Sequence, residues 1–307
     1  MFAFSTCWNS DAYQDGEPML EEIRSLGFSN IELSHGIRIS LLEGIERAMK
    51  ADTHFKIRSV HNFCPLPIGY LYSAPNVYLL SSENESERQK AIRQTIHTMD
   101  FAAKLGVRFV VLHLGSVPMV NYTDQLLKLI QQGKQQTAQY YNLFEKAVAK
   151  RQDKGRRPFL KTMKSLEALI QPAEERNIIL GIENRYCLEE IPSEEELSEV
   201  LGAFDATEVG YWHDCGHAET WCHLGLMNHI EWLNKFGERL VGAHLHDAAY
   251  PGRDHQIPGK GTVPFFQLKE LRYPKLLKVF EFEPGTPVPV LKEQLPEFMK
   301  TFEISAL

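Results

Sequence analysis

The stretch Ile178-Ile179-Leu180-Gly181-Ile182-Glu183 decides how this chain is read. It is apolar without alternation, as in a strand covered on both faces, and it closes on a carboxylate. A charge ending such a strand needs a compensating partner or ion. Three further runs end the same way: Val209-Gly210-Tyr211-Trp212-His213-Asp214, Leu240-Val241-Gly242-Ala243-His244 and Leu276-Leu277-Lys278-Val279-Phe280-Glu281. His61 and His113 close two earlier runs in like manner. A shared polar centre at the carboxyl ends of parallel strands explains them together.

Outward from these runs, strand candidates fall at 2–7, 30–34, 57–63, 108–114, 178–183, 209–214, 240–246 and 276–283. Between them Ile92, Ile96, Met99 and Ala103 repeat at helical spacing, as do Leu291, Leu295, Phe298 and Phe302. Gly27 and Gly106 stand where left-handed helix caps are expected. Eight strand-then-helix units predict a closed α/β barrel of the (β/α)₈ type, with residues 1–307 as a single domain. A doubly wound sheet lacks the GxGxxG expected after its first strand. Segment 117–171 exceeds one crossover helix, which predicts an extra helix over about 135–152 before a covering helix from Phe159 to Arg176. Active sites of such barrels lie at the carboxyl face, so Asn9, Glu32 and His35 are further candidates, set against a reading as surface loop or satisfied polar rim.

Composition narrows the function classes. With 307 residues and 43% hydrophobic content the chain can bury a substantial core. A net charge of −7 and a pI near 6.0 disfavour a nucleic-acid partner. The basic stretch Lys146, Lys150, Arg151, Lys154, Arg156, Arg157, Lys161 and Lys164 is expected to be a solvated helix face. Five cysteines lack the spacing of a disulfide framework, which predicts a reducing cytoplasm. No apolar run reaches the length of a membrane span, and Met1 to Thr6 does not resemble a leader.

Three carboxylates gathered at a barrel mouth repel one another unless a cation sits among them. Glu183, Asp214, His244 and Glu281 suit a divalent ion such as Mn²⁺, Co²⁺, Zn²⁺ or Mg²⁺. Strand alternation leaves a second register open, because His246 shares a face with His244 and Glu283 with Glu281. The deeper pair, His244 and Glu281, is preferred.

The sequence resembles the xylose-isomerase-like TIM barrels, which include sugar and sugar-phosphate isomerases and epimerases and also endonuclease IV. The matching pieces are Ser59-Val60-His61, Val110-Val111-Leu112-His113-Leu114-Gly115-Ser116, Ile182-Glu183-Asn184, Asp214-Cys215-Gly216-His217, His244-Leu245-His246-Asp247, Asp254-His255-Gln256-Ile257-Pro258-Gly259-Lys260-Gly261 and Phe280-Glu281. The resemblance implies that Glu183, Asp214, His244 and Glu281 are the common metal ligands. It places His61, His113, His217 and His255 at positions that complete a three-zinc cluster in endonuclease IV. Here Arg253 stands where that pattern has its Asp, and Asp254 directly precedes His255, which weighs against a third metal.

By the same resemblance, Glu183 and Glu281 are the acid and base pair around a ketose carbon, and His217 and Arg185 meet substrate oxygens; from strand register, the later pair His246 and Glu283 can contact substrate. Arg185, Lys260 and the glycine loop are candidates for a phosphate, although a glycine-containing loop is weak evidence. The leading expectation is a metal-dependent isomerase or epimerase acting on a small carbohydrate, free or phosphorylated. The alternative is an endonuclease IV-like multi-metal phosphoesterase acting on abasic DNA. A third reading keeps the metal for binding or regulation without turnover. A homo-oligomer is compatible with each.

Overall fold

The structure of the chain, a computed structural model, describes residues 1–51, 54–70, 72–73 and 75–304. Eight parallel strands close into a barrel: β1 (Phe2–Ser5), β2 (Asn30–Leu33), β3 (Lys56–His61), β4 (Phe109–Leu112), β5 (Ile179–Glu183), β6 (Val209–Asp214), β7 (Leu240–Leu245) and, last in the chain, Leu277–Phe280. Each pairs with its neighbours in sequence order, and the last closes on β1 through Phe4 opposite Phe280. All eight expected runs are therefore strands, most of them shorter than expected because the ladders give way to loops at the mouth. His113 and Glu281 stand one residue past their strands.

Alternation along each strand stacks two layers inside the barrel. The lower is apolar: Ala3, Val111, Trp212, Leu277 and Val279 pack together. Trp212 fills the centre only because small residues flank it, since a Cβ on Gly242 would lie 2.2 Å from the indole. Two residues further along these strands come His113, Asp214, His244 and Glu281, with Glu183 two beyond Gly181. The apolar floor thus sets the height of the polar layer.

The covering helices are α1 (Gly16–Ser25), α2 (Ile39–Ala51), α3 (Glu85–Lys104), α4 (Tyr122–Gln131), α5 (Ala138–Glu175), α6 (Glu194–Ala203), α7 (Cys215–Leu224), α8 (His229–Phe236) and α9 (Val288–Ile304). The break expected between 152 and 159 is absent, and the extra helix is α4, earlier than the sequence suggested. α5 runs straight through Pro158. A proline costs one ladder hydrogen bond, and here the buried series Phe159, Thr162, Ser165, Leu166 and Leu169 carries the helix onward against the barrel. Part of the basic stretch on α5 is an ion-paired face, where Arg156 meets Glu199 and Arg157 meets Glu83, while Arg151 is buried against Glu196.

An antiparallel hairpin, β8 (Asp247–Ala249) with β9 (Arg253–Gln256), rises beside the mouth, and the helix expected to cover the seventh strand is replaced by two short 3₁₀ turns, Phe265–Gln267 and Lys269–Arg272. With these two numbered, the last barrel strand is β10. Among the described residues all five cysteines are free, and no helix is long and apolar enough to cross a membrane.

Candidate metal centre

Donor atoms of Glu183, Asp214, His244 and Glu281 lie within 4.8 Å of one another, and all four residues are buried. Register explains the convergence: Asp214 pairs directly with His244 across β6 and β7, so both point inward at one height. His244 Nδ1 faces three carboxylates, at 2.8 Å from Glu183 Oε1, 3.2 Å from Glu281 Oε2 and 3.5 Å from Asp214 Oδ2. Its Nε2 is 3.1 Å from Glu32 Oε1, and Ser59 Oγ donates to Glu32 Oε2 at 2.8 Å.

This is the arrangement of a metal-binding histidine whose second ring nitrogen donates to a carboxylate. With Nε2–H turned to Glu32, a lone pair on Nδ1 would face three anionic oxygens. A positive charge must therefore sit at that point, as a proton or as a metal ion. Burial opposes charge on His244, but Glu281 and Glu32 outweigh it and push the imidazole well above its ordinary value. The donor set fits a divalent ion. Glu32, expected as a candidate or as satisfied rim, is fully buried beneath the centre.

The supports around the four differ in kind. Burial would raise Glu183, but Arg185, His113 and His244 hold its carboxyl well below the usual range. Arg185 Nη1 donates to Glu183 Oε2 at 2.6 Å and contacts His113 Nε2 at 2.7 Å, while its Nε donates to Glu190 at 3.1 Å. Burial and Arg185 bring His113 down to about 3, so it is a neutral ring, with Nδ1 on Asn76 Oδ1 at 3.0 Å. Asp214 caps α7 by accepting the His217 N–H at 2.7 Å, and Asn184 clamps the Asp214 backbone on both sides at 2.8 and 2.9 Å. His246 Nδ1 accepts the His255 N–H at 2.8 Å, so its Nε2–H is the donor to Asp214 at 2.9 Å. His246 thus steadies Asp214. Glu283 is turned away and pairs with Arg253 at 3.0 Å on the exposed rim.

Three more groups flank the four: His61 with His113 and Glu183, His217 with Asp254 and His255, and His246 with His255 and Glu281. Asp254 Oδ2 lies 3.7 Å from Nε2 of both His217 and His255, so the adjacent Asp-His pair does reach the mouth. His255 has φ of 53°, and this left-handed residue breaks the strand alternation that would otherwise send neighbours to opposite faces. His35 packs edge-on against His61 at 4.8 Å between ring centres. Asn9 is buried but turned aside, donating to Met19 O at 3.0 Å.

The glycine loop is already occupied. Asp247 Oδ2 accepts the N–H groups of Gly259 and Gly261 at 2.8 and 2.9 Å, and its Oδ1 accepts Ala248 and Val263. Those donors are spent on the chain's own carboxylate. Lys260 is exposed at the rim, near His255 and Glu283. Sequence reading missed the Asp247 and Asn184 roles, although both residues stand inside the quoted motifs.

Among solved structures the chain resembles a D-tagatose 3-epimerase-like protein (18% identity, TM-score 0.68, covering 100% of this chain and 99% of that one). It also resembles an L-ribulose 3-epimerase (13% identity, TM-score 0.68, 99% and 95% covered). A third is the IOLI protein, solved with a binding zinc atom (14% identity, TM-score 0.61, 100% and 99% covered). At such identities the likeness shows the shared fold. No curated protein matches the chain. Residues 20–302 match the family described as xylose isomerase-like TIM barrel, and with nearly the whole length covered the chain belongs to that family.

Proposed function

We propose that the chain is a metal-dependent isomerase or epimerase of a small sugar, with Glu183, Asp214, His244 and Glu281 holding one divalent ion and Glu183 with Glu281 as the proton-transfer pair. What carries this reading is the convergence of their four donor atoms within 4.8 Å at the carboxyl face of the barrel. A bound Mn²⁺, Co²⁺, Zn²⁺ or Mg²⁺ supplies Lewis-acid polarisation of the substrate carbonyl and offsets carboxylate repulsion. Glu183, held ionised beside Arg185, serves as the base. It takes a proton from the carbon next to the carbonyl; the C–H electron pair becomes the C=C bond of an enediolate while the carbonyl π pair moves onto oxygen. Glu281 relays a proton from solvent to the opposite face of that carbon for epimerisation, or to the former carbonyl carbon for isomerisation, where the hydroxyl proton also moves to the neighbouring oxygen; Glu183 then gives its proton back to solvent. His217, with Nδ1 on Asn184 O at 3.1 Å, leaves Nε2 for a substrate hydroxyl.

An unphosphorylated sugar is favoured. Two of the three phosphate candidates are engaged: Arg185 with Glu183 and Glu190, and the glycine loop with Asp247. The structural relatives described as a 3-epimerase and a 3-epimerase-like protein support the same substrate class.

The flanking groups His61–His113–Glu183 and His217–Asp254–His255 favour the multi-metal phosphoesterase as a second reading. Against it, the fixed guanidinium of Arg185 lies within hydrogen-bond distance of both His113 Nε2 and Glu183 Oε2, the space a further ion between them requires. The test is reconstitution with Mn²⁺ or Co²⁺ and incubation with a panel of ketoses in D₂O. Deuterium at a single exchanged carbon is expected, with no specific nicking of abasic duplex DNA. Robust nicking that requires His61, His113 and His255 would overturn the reading.

A further inference from the structure

Behind the mouth, a chain of hydrogen bonds with a fixed direction leads to a second group of metal-ligating side chains. Asn184 Oδ1 accepts the Asp214 N–H, so its amide orientation is set, and it also accepts the Tyr211 hydroxyl at 2.9 Å. Having given its proton to Asn184, Tyr211 accepts from His213 Nδ1 at 2.5 Å. Burial keeps His213 neutral, so with Nδ1–H given to Tyr211 its Nε2 accepts from His229 Nδ1 at 3.3 Å. With the Nδ1 proton committed to His213, the chain ends at His229 Nε2. That atom is buried, in a residue 3% exposed, and has no hydrogen-bond partner.

The orphaned nitrogen is aimed at donors. Glu219 Oε2 is 3.2 Å away but not aligned for an N–H···O bond, and Cys222 completes a set of ligand atoms all within 4.8 Å of one another. Glu219 and Cys222 are three residues apart on one face of α7, and His229 opens α8 after Gly225 turns the chain at φ of 77°. The other Glu219 oxygen is held by Thr262 Oγ1 at 2.7 Å and lies 3.1 Å from His223 Nε2, which orients the carboxylate. Asn228 caps α8 through the N–H groups of Ile230 and Glu231, and the His229 N–H turns to Cys222.

We propose that Glu219, Cys222 and His229 form a second metal site, for a zinc-class divalent cation, that ties the last turn of α7 to the first turn of α8. Mixed sulfur, nitrogen and oxygen donors select a borderline-soft ion over Mg²⁺ or Ca²⁺. Tetrahedral zinc with bonds near 2.0–2.1 Å sets its ligand atoms about 3.3 Å apart, close to the His229–Glu219 separation. Binding forms a metal–thiolate bond at Cys222 and releases the thiol proton to solvent. The site would brace the helix whose N-terminus is Asp214, and it does not depend on the reaction assigned to the mouth.

The test uses the full chain, stripped by chelator and titrated with Co²⁺. The wild type is expected to show a sulfur-to-cobalt charge-transfer band in the near ultraviolet, which the sulfur-free barrel-mouth set cannot give. Cys222→Ser abolishes that band and lowers bound Co²⁺ by one equivalent per chain, and His229→Gln also loses that equivalent. In wild type, Zn²⁺ shields Cys222 from alkylation, read by mass spectrometry without any variant. A wild type with neither band nor shielding, or a folded Cys222→Ser that keeps the band and the full equivalents, overturns the proposal. Loss of ketose exchange with the band intact would instead count against the mouth.

Discussion

The two donor groups are built in opposite ways. Glu183, Asp214, His244 and Glu281 come from four separate barrel strands or their ends, whereas Glu219, Cys222 and His229 sit on the end of one helix and the start of the next. The first exists only when the barrel closes in register, and the layer beneath it sets its height. The second needs little more than one helical turn and a glycine-capped corner. On the proposed reading, chemistry that demands fixed geometry falls to strand ends set above Trp212, while the helical group is suited to bracing.

The largest effect that would test this contrast is on proton transfer. Glu183→Gln and Glu281→Gln are each expected to lower exchange of the ketose C–H in D₂O by roughly 10²–10⁴-fold or more, with the fold retained by circular dichroism. Full activity in either would remove the mouth from the mechanism. Next comes metal affinity at the mouth. His244→Ala is expected to lose the mouth ion in equilibrium dialysis, while His246→Ala, which removes the donor to Asp214 and the acceptor of the His255 N–H, weakens it about 10–100-fold. The reverse pattern would mean that the ligand register on β7 is wrong.

A packing change separates the two groups. Gly242→Ala forces Trp212 to shift and is expected to cost about 1–3 kcal/mol in urea unfolding. It should disturb the mouth while sparing the cobalt–thiolate band at α7. If both responded equally, the contrast between strand-borne and helix-borne donors would fail.

Acid titration offers a smaller signal. Burial alone would raise Glu219, but His223, Thr262 and the nearby His229 ring bring it down to about 2 from an ordinary 4.5. A carboxyl depressed in the folded state stabilises it above the unfolded value and loses that contribution as pH falls through the folded one. Metal-free wild type should therefore lose more unfolding free energy between about pH 5 and pH 2 than Glu219→Gln does. The smallest effect belongs to Glu283→Ala. Its rim pair with Arg253 is exposed, so stability should change by less than about 1 kcal/mol and exchange should be unchanged.

Much of the fold was legible because parallel strands announce themselves as apolar runs, and those ending in Glu183, Asp214, His244 and Glu281 carry their chemistry at the terminus. Helix boundaries were less legible. Pro158 looks like a punctuation mark in one dimension, and only its packing against the barrel shows that α5 absorbs it. Sequence comparison showed only that Asp254 directly precedes His255 where the three-zinc pattern has its Asp one residue earlier, and the left-handed backbone at His255 shows how both neighbours reach the mouth.

Residue type and position by themselves determined the eight barrel strands, the family resemblance and the four converging donors, but not the 3₁₀ turns that replace a helix after β7. Tertiary structure alone decided how each donor is engaged: that Arg185 is fixed between His113 and Glu183, that Asp247 consumes the glycine loop, and that His229 Nε2 is left facing Glu219 without a hydrogen bond. The physical reason is that periodicity records which face a side chain takes. The partner of each lone pair or proton depends on distances across the barrel and between helices that no local pattern encodes.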